Sequence, residues 1–263
     1  MTSMLYQVDA FTAEPFKGNP AAVCLLDRQA KVTWMKDLAN EMNLSETAFI
    51  SPARNGWRLR WFTPKQEVDL CGHATLASAK VLFERQPALR DEPILFKTRS
   101  GELTARWVDG DIELDFPSMP FQRISCESNL IHALGFTPVD AVFSGTYYLF
   151  QAEDESIIRT VNPDIAALEN LPIPEVIITA RSQDPKFDFI SRFFAPRLGI
   201  PEDPVTGSAH CLLAPFWAEK LKKTEFTAFQ ASQRGGILHL RIAGERVKIT
   251  GAAVIIFEAE LRL

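Results

Sequence analysis

The chain has 263 residues, of which 46% are hydrophobic and 23% charged, and a formal net charge of -5. That length suits one large domain or two small ones, and an acidic balance without a basic run argues against nucleic-acid or anionic-membrane binding, because nothing would neutralise the phosphates. Cys24, Cys71, Cys126 and Cys211 stand far apart without a C-x-x-C pair, and His73, His132, His210 and His239 lack H-E-x-x-H or H-x-H spacing. Neither disulfides nor a metal site is therefore expected. The first residues lack the basic start and apolar core of a signal peptide, and no run of 18 apolar residues occurs, so a cytoplasmic location is expected.

In chain order, short runs rich in Val, Ile, Phe and Leu predict strands over Leu5 to Phe11, Ala21 to Leu26, Thr47 to Ser51, Trp57 to Phe62, Ile94 to Thr98, Gly101 to Trp107 and Asp111 to Phe116. Two helices interrupt them. Trp34, Leu38 and Met42 share one face of a helix from about Thr33 to Met42 that ends at Asn43, and a second helix runs from Gly72 to about Glu84. The stretch 115–125, "DFPSMPFQRIS", carries two prolines and reads as a boundary.

Beyond it the pattern repeats. Phe62-Thr63-Pro64-Lys65, followed seven positions later by Gly72-His73-Ala74 and an apolar helix, is echoed by Phe194-Ala195-Pro196-Arg197, followed ten positions later by Gly207-Ser208-Ala209 and another apolar helix. A duplicated domain is expected: residues 1–118, completed by a last strand at about 251–263, and residues 119–250. Pro215 should kink or shorten the second of these helices.

A helix N-terminus leaves N–H groups unpartnered and carries partial positive charge, so two such termini facing each other would hold a carboxylate and stabilise a developing carbanion without a cofactor. Gly72 and Gly207 suit close approach of a ligand, although each also suits a plain strand-to-helix turn. Glu46, set among Leu44, Ala48 and Phe49, is the candidate acid or base, its pKa raised if it is desolvated; the alternative is an exposed turn glutamate. Asp203 either caps its loop or contributes a polar group to the site, and Ser208 either caps its helix or donates to substrate. His73, at a helix start whose dipole opposes imidazolium, can still donate one hydrogen bond when neutral.

Together "DAFTAEPFKGNPAAVCLL", "NLSETAFI", "FTPKQEVDLCGHATLASA", "EDPVTGSAHCLLAPFW" and "QASQRGGILHLRI" resemble the PhzF family of phenazine biosynthesis-like isomerases, over residues 9 to about 242. The resemblance implies an α+β fold like that of diaminopimelate epimerase: two pseudo-symmetric domains, each a barrel-like sheet around a central helix, with the active site between them. In that epimerase a cysteine precedes the glycine in both domains and the two thiols are the bases. This chain keeps Cys71 before Gly72 but has Thr206 before Gly207. The family pattern instead implies that Glu46 shuttles the proton, with His73, Asp203 and Ser208 as its partners and Gly72, Ala74, Thr206 and Gly207 around the substrate. It further implies a homodimer and a small carboxylate-bearing substrate, with no cofactor.

Three functions follow. The first is a cofactor-independent isomerase using Glu46. The second is a Cys71-dependent epimerase or racemase, since a helix N-terminus lowers a thiol pKa. The third is a non-catalytic protein that binds a small anion or a partner.

Overall fold

The computed structural model describes residues 3–172 and 175–262. The chain divides into two compact units, Met1–Phe116 with Lys248–Leu263, and Pro117–Val247.

In the first unit the strands are β1 (Ser3–Ala10), β2 (Asn19–Leu25), β3 (Thr47–Ala53), β4 (Gly56–Phe62), β5 (Glu67–Val68), β6 (Ile94–Thr98), β7 (Gly101–Val108) and β8 (Asp111–Pro117). Helix α1 (Val32–Met42) precedes β3, and α2 (Gly72–Arg85) precedes β6. β1 pairs antiparallel with β2, β2 parallel with β3, β3 antiparallel with β4, β4 parallel with β6, and β6 antiparallel with β7. Each parallel step needs a crossover, and the two helices supply them. α1 buries Met35, Leu38 and Ala39 and stops at Asn43, whose left-handed backbone (φ 50°) lets its N–H reach the Ala39 carbonyl. α2 differs: eleven of its fourteen residues are buried, so it is the core of its unit rather than an amphipathic cover. Thr75 and Ser78, buried inside it, return their hydroxyls to the carbonyls of Cys71 and Ala74, at 2.5 and 2.7 Å, which satisfies groups that water cannot reach.

The second unit runs through β9 (Gln122–Arg123), α3 (Ser128–Leu134), β10 (Asp140–Phe143), β11 (Tyr148–Gln151), α4 (Glu155–Thr160), α5 (Ile165–Asn170), β12 (Val176–Arg181), β13 (Phe189–Ala195), β14 (Ile200–Asp203), α6 (His210–Leu221), β15 (Glu225–Gln230) and β16 (Gly236–Ala243). β10 pairs antiparallel with β11, β11 parallel with β12, β12 antiparallel with β13, β13 parallel with β15, and β15 antiparallel with β16. This is the order of β1, β2, β3, β4, β6 and β7, so the second unit repeats the first strand for strand, with α6 in the place of α2. The chain crosses back within β17 (Arg246–Gly251), and β18 (Ala253–Leu261) pairs antiparallel with β1 in the first unit.

At α6 the first residue is His210, and Gly207 lies in the preceding turn, where His210, Cys211 and Leu212 donate to carbonyls three residues back. Pro215 does not shorten the helix, which continues to Leu221. A proline at 215 cannot bond the Cys211 carbonyl, but the Met119 N–H does so at 2.9 Å, and the usual cost of a proline in a helix is thereby reduced.

Candidate functional site

The candidate residues form two local constellations, one in each unit. In the first, the left-handed stop at Asn43 turns the chain so that Ser45 and Glu46 immediately precede buried Thr47 of β3. Cys71, Gly72 and His73 begin α2, whose first turn has no side-chain cap and no acidic residue. Its leading N–H groups are therefore suited to an anion. Glu46 Oε2 lies 3.4 Å from His73 Nε2, with the two side chains 13% and 5% exposed. Ser45 Oγ is 3.3 Å from the same nitrogen, and Cys71 Sγ is 3.5 Å from Nδ1 on the other side of the ring.

A neutral imidazole has one donor and one acceptor nitrogen. A carboxylate beside Nε2 favours the proton there, and Nδ1 is then left to accept from the Cys71 thiol. Glu46, Cys71 and His73 each bring a possible metal-ligand atom within 4.8 Å of the others. The ring separates them, however: a zinc ion with Zn–S and Zn–N distances of about 2.3 and 2.0 Å can take one imidazole nitrogen, and the thiol and carboxylate stand at different ones. The arrangement fits a proton network better than a metal cage.

In the second unit Asp203 ends β14 with its side chain buried, and the Thr206 hydroxyl donates to Asp203 Oδ2. Gln230, at the end of β15 and 1% exposed, locks the pair: its Oε1 accepts from the Thr206 N–H at 2.8 Å, and its Nε2 donates to the Asp203 carbonyl at 2.9 Å. Ser208 does not cap α6. Its Oγ accepts instead from the Tyr147 hydroxyl at 2.9 Å. Tyr147 is held by a turn in which its N–H reaches Ser144 Oγ at 2.9 Å, and its ring meets Phe193 edge-on at 5.6 Å. Burial pushes the phenol above its ordinary range, so it stays a donor. His210 is fully buried, and burial pushes its pKa down to about 4; Nδ1–H donates to the Thr206 carbonyl at 2.9 Å.

Thus Glu46 meets His73, Asp203 meets Thr206, and Ser208 meets a residue that sequence reasoning did not single out, while Gly72 and Ala74 lie buried in the first turn of α2. Ser45, Tyr147 and Gln230 were missed as site residues. Ser45 and Gln230 lay inside "NLSETAFI" and "QASQRGGILHLRI", where a polar residue at the edge of an apolar strand was the available signal. Tyr147 had none, because it reaches Ser208 from 61 residues away. Cys24 and Cys211 are buried thiols whose pKa values are each pushed up to about 12, and both are inert packing groups.

The paired units, each with a buried helix, define the fold class of the epimerases and racemases. A hydroxyproline epimerase from Agrobacterium vitis has this fold with a TM-score of 0.64 at 14% identity, over 99% of this chain and 92% of that one. Within that class, the chain belongs to the phenazine biosynthesis-like (PhzC-PhzF) protein family, which matches residues 8–259. It is 49% identical over 264 residues, covering 100% of both chains, to an uncharacterized isomerase of Halalkalibacterium halodurans. A PhzF-family structure from Enterococcus faecalis matches it with a TM-score of 0.95 and 41% identity over 100% of both chains. The chain is accordingly an isomerase whose substrate is unassigned.

Proposed function

We propose that this isomerase moves a proton on a small carboxylate-bearing substrate without metal or organic cofactor, with Glu46 as the acid and base. The observation that carries the reading is the 3.4 Å approach of Glu46 Oε2 to His73 Nε2 at the uncapped start of α2. Glu46 takes a proton from carbon and leaves the electron pair on the substrate as an enolate-type anion. The first N–H groups of α2 and the His73 Nε2–H favour that negative charge. Asp203 and Ser208 are the further polar groups of this reading, Ser208 as a donor because Tyr147 already occupies one of its lone pairs. A homodimer and a cytoplasmic location belong to the same proposal. Among the described residues, no helix is long and apolar enough to cross a membrane.

The test is incubation of EDTA-dialysed enzyme in D2O with a panel of small carboxylic acids bearing a C–H beside the carboxylate or conjugated with it. Mass spectrometry should show deuterium in at least one acid, and Glu46→Gln should remove that labelling. Labelling that requires added metal contradicts the cofactor-free reading. Undiminished labelling by Glu46→Gln contradicts the assignment of the base.

A second reading has its own observation, the 3.5 Å contact of Cys71 Sγ with His73 Nδ1, which would let the imidazole take a thiol proton. Cys71→Ala separates the two: activity that survives it excludes the thiol.

A further inference from the structure

The first unit has an open cavity of about 610 Å³, and none of Ser45, Glu46, Cys71 and His73 lines it. It lies where the edge of the sheet meets the link from β2 to α1. Ser3 of β1 and Leu261 of β18 stand opposite each other in the register, and the link, residues 26–31, forms the facing wall. That link is pinned at both ends: the Leu26 N–H donates to the Ile50 carbonyl at 2.9 Å, and the Lys31 carbonyl accepts from the Met35 N–H at 3.1 Å. The wall is therefore fixed by backbone hydrogen bonds before any ligand arrives, which lowers the ordering cost of binding.

The floor of the cavity is apolar. Leu26 is buried, and Trp34 and Leu261 are partly buried residues packed on the same core cluster. Trp34 meets Phe49 edge-on with ring centroids 6.0 Å apart, so the indole is held from the core side while it lines the cavity. The rim is cationic. Arg28 and Lys31 are exposed, and among the described residues neither has an ion pair. No carboxylate lines the cavity, Asp27 of the link included, although the chain as a whole carries a net charge of -5. Pockets for small ligands measure about 300–1,000 Å³ and combine an apolar lining with a few placed polar groups. Here an apolar body would displace water from Leu26, Leu261 and the indole, and the two cations would select a negative end.

We propose that this cavity is a second ligand site, separate from the catalytic groups, for a carboxylate with an apolar aryl or acyl body. The body lies against Leu26, Trp34 and Leu261, and the carboxylate meets Arg28 and Lys31. Helix α1, about 16 Å long, runs from this cavity to the Asn43 stop that precedes Ser45 and Glu46, so the two sets of residues stand at opposite ends of one helix.

The experiment uses 4-phenylbutyrate as the aryl probe and decanoate as the acyl probe, each titrated into nitrogen-15-labelled full-length protein. The readout is the Trp34 indole N–H resonance, assigned with Trp34→Phe. At least one probe should move it saturably, and the tighter of the two gives the body that the cavity prefers. Replacing both cations, as Arg28→Ala with Lys31→Ala, removes exposed charges and should leave the fold intact. That double variant should weaken the acid about tenfold, the share that two exposed charge pairs supply, and should keep the uncharged 4-phenyl-1-butanol within about twofold of wild type. Glu46→Gln should bind the acid as wild type does. A Trp34 resonance that neither probe moves, or that moves without saturating, overturns the proposal. So does equal affinity for the acid in the double variant. Loss of the Trp34 shift in Glu46→Gln would place the acid at the catalytic groups and would overturn it as well.

Discussion

The two units share a strand order and a buried helix preceded by a glycine, yet they hold different chemistry. In the first, a carboxylate and a thiol flank one imidazole, at 3.4 and 3.5 Å. In the second, Asp203, Thr206, Gln230, Ser208 and Tyr147 form uncharged hydrogen bonds or bonds to a single carboxylate, and His210, which donates to the Thr206 carbonyl, is buried, with its pKa pushed down to about 4. Duplication preserved the backbone because the sheet registers and the central helix make the core. The side chains around the helix start differ: carboxylate, imidazole and thiol in the first unit, and a hydrogen-bonded set of Asp203, Thr206, Gln230, Ser208 and Tyr147 in the second.

The first way to break this comparison is Ser208→Ala. If Ser208 donates to developing charge as proposed, its loss should lower kcat/KM about tenfold to a hundredfold, and steady-state kinetics on the labelled acid will show it. Tyr147→Phe is milder. It keeps the contact with Phe193 and removes only the bond to Ser208, so a three- to tenfold loss is expected, about 1 kcal/mol. If Tyr147→Phe instead equals Ser208→Ala, the phenol does more than orient the serine.

A third test uses stability. His210 has a folded pKa of about 4 against 6.5, so its contribution is present above pH 6.5 and is lost as pH falls towards 4. Glu175 has a folded pKa of about 7 against 4.5, so its contribution is present below pH 4.5 and is lost as pH rises towards 7. Each is on the order of 3 kcal/mol, and they oppose one another. Removing one by Glu175→Gln should make stability to urea rise between pH 5 and 6.5 more steeply than in wild type. An unchanged slope would place the Glu175 carboxyl in water. The smallest effect is expected for Cys71→Ala, within about threefold in kcat, because the thiol serves His73 as a donor to Nδ1. A loss of about a hundredfold would favour the thiol reading.

Much of the fold was legible in the sequence. Periodicity gave α1 and α2 to within a residue or so, because Trp34, Leu38 and Met42 recur at helical spacing and Asn43 accepts the left-handed stop. The duplication was legible from the Phe-x-Pro-basic motifs, since the same register needs the same residues. The start of α6 was not, because Gly207-Ser208-Ala209 reads like Gly72-His73-Ala74 and only the longer approach from β14 sets it apart. Within the site, Glu46 and His73 were adjacent to recognisable turns. Tyr147, by contrast, lies in the turn before β11 and reaches Ser208 only through the folded chain, so no local signal marks it.

The most direct measurement compares wild type and Glu46→Gln side by side, with calorimetry for binding of the labelled acid and mass spectrometry for deuterium uptake in D2O. The account predicts affinity within about threefold and deuterium uptake lowered about a thousandfold, the range of a lost general base. Uptake at the wild-type rate with affinity intact would contradict it.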